Sequence, residues 1–164
     1  MAAELKPEQY LKMAYQVATQ SPDPSTQNGA VIVSTTGVVV SACNKFPTRV
    51  KSTPERLERP LKYEFIEHAE RGAVYEAARL GVSAQGGTMY VPWFACSDCA
   101  RAIICAGISR VVGHKKMADG TPERWKESIK NALIMLEESG VQTELYDGDI
   151  GGVTTLFNGA PFTP

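Results

Sequence analysis

Little in this chain invites a charged or membranous partner. No apolar run approaches the roughly 20 residues that cross a bilayer, and Met1 to Lys6 lacks a charged-then-apolar leader pattern. Basic residues (17) and acidic residues (18) nearly cancel, leaving a formal net charge of -1. A nucleic-acid backbone would therefore find no electrostatic footprint. Lys115-Lys116 is too short to make one, and no basic track is interleaved with aromatics. Cysteines are few: Cys43, Cys96, Cys99 and Cys105. Without a leader, a Cys-x-x-Cys pair reads as metal or redox chemistry rather than a disulfide framework. These absences predict cytoplasmic residence, with neither nucleic acid nor membrane as partner. What is present is an ordinary globular composition, 43% hydrophobic and 21% charged over 164 residues. That suffices for one domain spanning 1-164 that buries its core without staples.

Patterning divides the chain into alternating elements. Pro7 to Gln20 has apolar residues at helical spacing, and Pro22 and Pro24 stop it. Ala30 to Ser34 and Val38 to Ala42 are β-branched runs joined by Thr35-Thr36-Gly37, a predicted hairpin. Cys43 to Lys62 has no clean period and reads as a long surface loop with one short helical turn. A second helix is predicted from Phe65 to Leu80, a strand at Thr88 to Val91, and a third helix from Cys96 to Ala106. Ile108 to Gly113 and Val141 to Tyr146 read as strands flanking a fourth helix that Thr121-Pro122 opens. The tail from 147 to 164 is glycine-rich, with Val153 to Phe157 placed to cover a sheet edge. Thr-Pro-Glu-Arg occurs at Thr53 and again at Thr121 without any wider repeat. The sum is an α/β fold with helices on both faces of a sheet.

Chemistry concentrates in His68-Ala69-Glu70 and Cys96-Ser97-Asp98-Cys99. One imidazole and two thiolates are three of the four ligands that a tetrahedral zinc takes, leaving one position for water. A carboxylate two residues from the histidine supplies the proton carrier that metal-assisted hydrolysis needs. Each pattern alone is weak; in this order and spacing they are specific. Cysteines three apart share a helix face, and a helix start favours thiolate over thiol. His68 and Glu70 lie about 200° apart on an ideal helix, so they converge only if His68 occupies an irregular first turn. A purely structural zinc would want a fourth protein ligand from Cys43, Cys105 or His114. Of these, Cys105 reads as core, Cys43 as a strand end able to approach the site, and His114 as a strand end in solvent.

With these motifs the chain resembles the cytidine and deoxycytidylate deaminase superfamily, and within it the deoxycytidylate branch. The likeness extends to Asp23-Pro24-Ser25-Thr26-Gln27-Asn28-Gly29-Ala30, to Ala42-Cys43-Asn44-Lys45-Phe46-Pro47, and to Thr88-Met89-Tyr90-Val91 leading into the cysteines. It spans about residues 8-146. The resemblance implies a three-layer α/β/α sandwich of the cytidine deaminase type, with a mixed sheet of about five strands. It also implies Zn2+ held by His68, Cys96 and Cys99, Glu70 as proton shuttle, and a homo-oligomer. Asn44 then matches a sugar-contacting asparagine, the alternative being a turn residue after a strand. Ala30 and Ala69 are placed against the pyrimidine.

Three departures from the family pattern bear on the substrate. Ala95 stands where proline usually precedes the first cysteine, Gly72 where asparagine usually follows the histidine motif, and Gln27-Asn28 where a basic residue could meet a phosphate. The expected reaction is hydrolytic deamination of dCMP to dUMP. The alternatives are a nucleoside, a free base such as guanine, a modified pyrimidine nucleotide, or a non-catalytic zinc module. Trp93 and Phe94 either wall the pocket or pack beneath the third helix. For a nucleotide, the long loop offers a phosphate lid through Lys45 and Arg49, with Lys51, Arg56, Arg59 and Lys62 alongside.

Overall fold

Strand residues alternate between two apolar layers, and this sets the architecture. The structure, a computed structural model, describes residues 5-164, so the reading of the N-terminal end concerns, at residues 1-4, positions outside them. β1 (Gly29–Val33) pairs antiparallel with both β2 (Val39–Cys43) and β3 (Thr88–Tyr90). β3 pairs parallel with β4 (Arg110–His114), and β4 parallel with β5 (Gln142–Tyr146). The result is a five-stranded mixed sheet in the order β2-β1-β3-β4-β5.

Val31, Tyr90 and Val112 face α1 (Pro7–Ala18), which buries Tyr10, Leu11 and Ala14 against them. Ala30, Ile32, Met89 and Val111 face the other way. There they meet α3 (Ala69–Leu80), α4 (Ser97–Cys105) and α6 (Glu123–Glu138), completing a three-layer α/β/α sandwich. Gly29 permits the tight approach of α1 to the sheet, because a Cβ there would stand 2.0 Å from the Ala14 carbonyl oxygen. Gly72 lets α3 lie close on β2, where a Cβ would already touch that of Ala42 at 3.3 Å.

Several boundaries differ from the sequence reading, each for a local reason. The second predicted helix begins four residues late. The short α2 (Lys62–Phe65) ends at Ile66, and Glu67 then pairs its backbone with Lys45 in an isolated bridge. Between Cys43 and Lys62 the expected single turn is a 3-10 turn at Glu55–Leu57. Its far end is not surface, since Lys62 is buried in an ion pair with Asp23. A further helix, α5 (Lys115–Asp119), occupies what sequence left unassigned.

The tail does not cover an edge of the main sheet. It folds into a separate hairpin of β6 (Thr155–Phe157) and β7 (Ala160–Phe162). This hairpin docks on residues 25-27 through Gln27 N–H to the Leu156 carbonyl (2.9 Å) and Gly159 N–H to the Ser25 carbonyl (2.7 Å). No helix among the described residues is long and apolar enough to cross a membrane.

Candidate active site

Two helix starts face one another and carry the chemistry. His68 is the N-cap of α3, with extended backbone angles (φ -72°, ψ 151°), and Glu70 is the second residue of that helix. Because His68 is not itself helical, its side chain escapes the 200° divergence and turns toward the cysteines. Cys96 is the N-cap of α4, and Cys99 lies in its first turn. His68 Nδ1 stands 3.4 Å from Cys96 Sγ and 3.5 Å from Cys99 Sγ. Tetrahedral zinc with ordinary bond lengths sets nitrogen and sulfur about 3.6 Å apart, close to both of these nitrogen–sulfur distances. All three ligand atoms lie within 4.8 Å of one another, and among the described residues no other such cluster forms. Three protein ligands leave the fourth position open, as a catalytic rather than structural site does.

None of the other candidates for a fourth ligand joins them. Cys43 is buried at the end of β2, where burial pushes its thiol up as for an ordinary core cysteine. Cys105 is exposed rather than core, because it falls on the face of α4 away from the buried Cys99, Ala100 and Ile103. His114 is fully buried rather than solvent-facing. Its Nε2 donates to the Gly148 carbonyl at 2.9 Å, which leaves Nδ1 to accept from Tyr15 O–H at 2.7 Å.

The electrostatics of the floor suit proton transfer. Burial raises the Glu70 carboxyl to about 7, against the opposing pull of His68. Cys96 is lowered, first by a hydrogen bond from the Cys99 thiol and then by His68. Burial tends to lower His68, but its hydrogen bond with Cys96 and the charge of Glu70 leave it raised. Arg71 ties the two helix starts together, reaching Glu67 on one (2.5 Å) and Asp98 on the other (3.5 Å). Glu67 in turn accepts the His68 backbone N–H at 3.0 Å.

Above this floor lies a cavity that opens to solvent. Trp93 and Phe94 line it, and Phe94 also packs in the core. Ala69 reaches the cavity, and as the first residue of a helix its N–H has no partner within that helix. Asn44 is there too, but its side chain staples the 23-28 segment. Oδ1 accepts Asn28 N–H at 2.8 Å, and Nδ2 donates to the Thr26 carbonyl at 2.8 Å. Ala30 lies in the core rather than on the cavity wall. Lys45 and Arg49 are exposed and stand outside the lining, so the structure does not bring the expected lid pair to the site.

Sequence reasoning missed three residues here. Trp125, early in α6, meets the rings of His68 (5.9 Å), Trp93 (5.9 Å) and Tyr63 (5.8 Å) in edge contacts. Arg124 lines the same mouth. Asn28 also lines the cavity, and its buried Oδ1 has no hydrogen-bond partner. A tryptophan in the first turn of an otherwise polar helix start was the available signal for the first of these.

The sequence profile of the cytidine and deoxycytidylate deaminase zinc-binding region matches residues 5-115. An uncharacterised deaminase of the luxG 3' region in Aliivibrio fischeri is 35% identical over 141 residues, 86% of this chain and 93% of its own length. The deoxycytidylate deaminase of Mus musculus is 34% identical over 114 residues, 65% of this chain, and the match spans 62% of the mouse protein. In three dimensions, the dCMP deaminase of cyanophage S-TIM5, solved with dCMP and dUMP, has the same fold. Its TM-score is 0.69 at 23% identity, covering 87% of this chain and all of that one.

Proposed function

This chain belongs to the cytidine and deoxycytidylate deaminase family, and from that premise we propose that it hydrolyses dCMP to dUMP and ammonia. The observation that carries the reading is a buried carboxyl, Glu70, beside a three-donor metal site with its fourth position open. Zinc held by His68, Cys96 and Cys99 would supply Lewis acidity that brings the pKa of water toward neutrality. Glu70 takes one proton from the water that adds at C4 of the cytosine ring and passes it to N3. A second proton, from the hydroxyl now on C4, travels by Glu70 to the exocyclic amine as the C4–N bond breaks. A carboxyl near neutrality suits both directions of transfer. The balance is water plus cytosine giving uracil plus ammonia.

Trp93, Phe94 and Trp125 provide flat apolar walls for a base. The unpartnered Asn28 Oδ1 is an acceptor for a sugar hydroxyl, a task Asn44 shares through the segment it holds. One observation favours a second reading, a nucleoside or free base as substrate. Gln27, in place of a basic residue, spends its side chain on the Ser21 carbonyl (3.1 Å) and Leu156 N–H (3.0 Å) and is not free to meet a phosphate.

Cytoplasmic residence and self-association belong to the same proposal. Four free cysteines, two of them ligands, suit a reducing compartment. Exposed Ile134 and Leu145 share a surface groove of the kind that a second copy could cover. The test is ammonia release by zinc-loaded protein from dCMP, CMP, deoxycytidine, cytidine, cytosine, guanine and adenine. Activity concentrated on dCMP is expected. Activity on a base or nucleoside alone would replace the substrate while keeping the chemistry.

A further inference from the structure

Most charges near the cavity are already spent. Lys62 and Asp23 neutralise each other, with Nζ at 3.0 and 2.9 Å from the two carboxylate oxygens. Arg71, between the two helix starts below the cavity, pairs with Glu67 and Asp98. Arg59 and Arg124 are different. Both line the cavity mouth, and among the described residues neither makes an ion pair. Arg59 donates to Tyr63 Oη at 2.9 Å and to Ser25 Oγ at 2.7 Å. Arg124 donates to Asn158 Oδ1 at 3.2 Å. Neutral acceptors fix where a guanidinium sits while leaving its charge uncompensated, as an anion-binding fork requires.

The two forks are also linked. Asn158 and Gly159 form the turn of the C-terminal hairpin, both at positive φ (52° and 81°), as a two-residue type I′ turn demands. Gly159 N–H holds the Ser25 carbonyl, and Asn158 N–H holds Thr26 Oγ1 at 3.1 Å. Ser25 therefore joins Arg59 to the turn, and Asn158 joins the turn to Arg124. Phe157 braces the arrangement from behind, edge-on to Trp93 at 5.4 Å.

We propose that Arg59 and Arg124, yoked through the Asn158–Gly159 turn, clamp the phosphate of the substrate and make this cavity selective for a nucleoside monophosphate over its nucleoside. Arg124 and Asn158 both lie beyond the residues 5-115 that the family profile matches, and a clamp there would supply the charge that Gln27-Asn28 lacks. The proposal rests on the nucleotide reading above but does not require the base to be cytosine.

The test is calorimetric titration of zinc-loaded protein with dUMP, deoxyuridine, dGMP and deoxyguanosine, for the wild type and for Arg59→Gln, Arg124→Gln, Arg124→Lys and Asn158→Ala. In each arginine-to-glutamine variant the affinity ratio of dUMP to deoxyuridine should fall about 10- to 100-fold, the worth of one charge-assisted fork. Arg124→Lys should recover part of that ratio, because charge remains and the fork does not. Asn158, a positioning residue, should lower the ratio about 3- to 10-fold with zinc content and melting temperature unchanged. Selectivity for dGMP over deoxyguanosine, lost in the same variants, would keep the clamp and refute the pyrimidine. Equal weakening of monophosphate and nucleoside, or a wild type that binds none of the four, would overturn the clamp.

Discussion

At the floor of the cavity, four chemistry-bearing side chains come from two short stretches, residues 68-70 and 96-99, each at the start of a helix. At its rim, Ser25, Arg59, Arg124 and Asn158 come from four segments that meet only through tertiary hydrogen bonds. The floor therefore inherits its geometry from local backbone, the N-cap conformations of His68 and Cys96. The rim depends on a docked tail and a buried ion pair. The difference separates chemistry from selectivity. On the proposed reading the floor sets the reaction and the rim sets the ligand.

Variants at the two levels should fail in different ways. The largest effect belongs to the floor: Cys99→Ala should lose zinc, measured by metal analysis, and with it essentially all turnover. Glu70→Gln should keep zinc and fold while losing about 10²- to 10⁴-fold in kcat. A rise in KM instead would mean that Glu70 serves binding and would blur the division.

Beneath the rim, Lys62→Ala leaves Asp23 buried and uncompensated, and should cost about 3 to 5 kcal/mol in chemical denaturation. Replacing both partners with apolar residues should recover much of that loss. Tyr15→Phe leaves His114 Nδ1 without its donor and should cost about 1 to 3 kcal/mol.

His114 also predicts a pH dependence. Burial holds it below its ordinary value of 6.5, so the unfolded chain takes up the proton first. Its contribution to stability is full above that value and is lost as the pH falls through it toward the lower folded value. In His114→Gln the wild type's acid-side slope in denaturant titrations should flatten. An unchanged slope would assign it to other groups. The smallest effect is at the cavity wall, where Trp125→Leu should lower kcat/KM up to about tenfold through loss of ring contacts.

How far the sequence could be read follows the same division. His68, Cys96 and Cys99 were legible as a ligand cluster because metal ligation imposes residue type and spacing together, and the sheet was legible because its strands are short apolar, largely β-branched runs. The rim was not. Arg59 stood in the long loop among five other basic residues, and nothing in that loop's composition says which of them a tertiary contact will pin in place. Lys45 and Arg49 looked equivalent to it and are exposed outside the lining. Arg124 sits in a stretch that reads only as a helix start. The hairpin did carry a signal, Asn158-Gly159 between Thr155–Phe157 and Ala160–Phe162, hidden by the glycines around it. His114 misled because a histidine at a strand end beside two lysines looks solvent-exposed. The returning tail, through Gly148, and the opposing Tyr15 help to bury it.

The central claim is that a bound metal and Glu70 together deaminate a pyrimidine monophosphate in this cavity. Zinc stoichiometry and ammonia release from dCMP, measured side by side for the wild type and Glu70→Gln, address it most directly. The account predicts one zinc per chain in both proteins, with turnover confined to the wild type and abolished by chelation. Full turnover by Glu70→Gln, or turnover that survives removal of the metal, would contradict it.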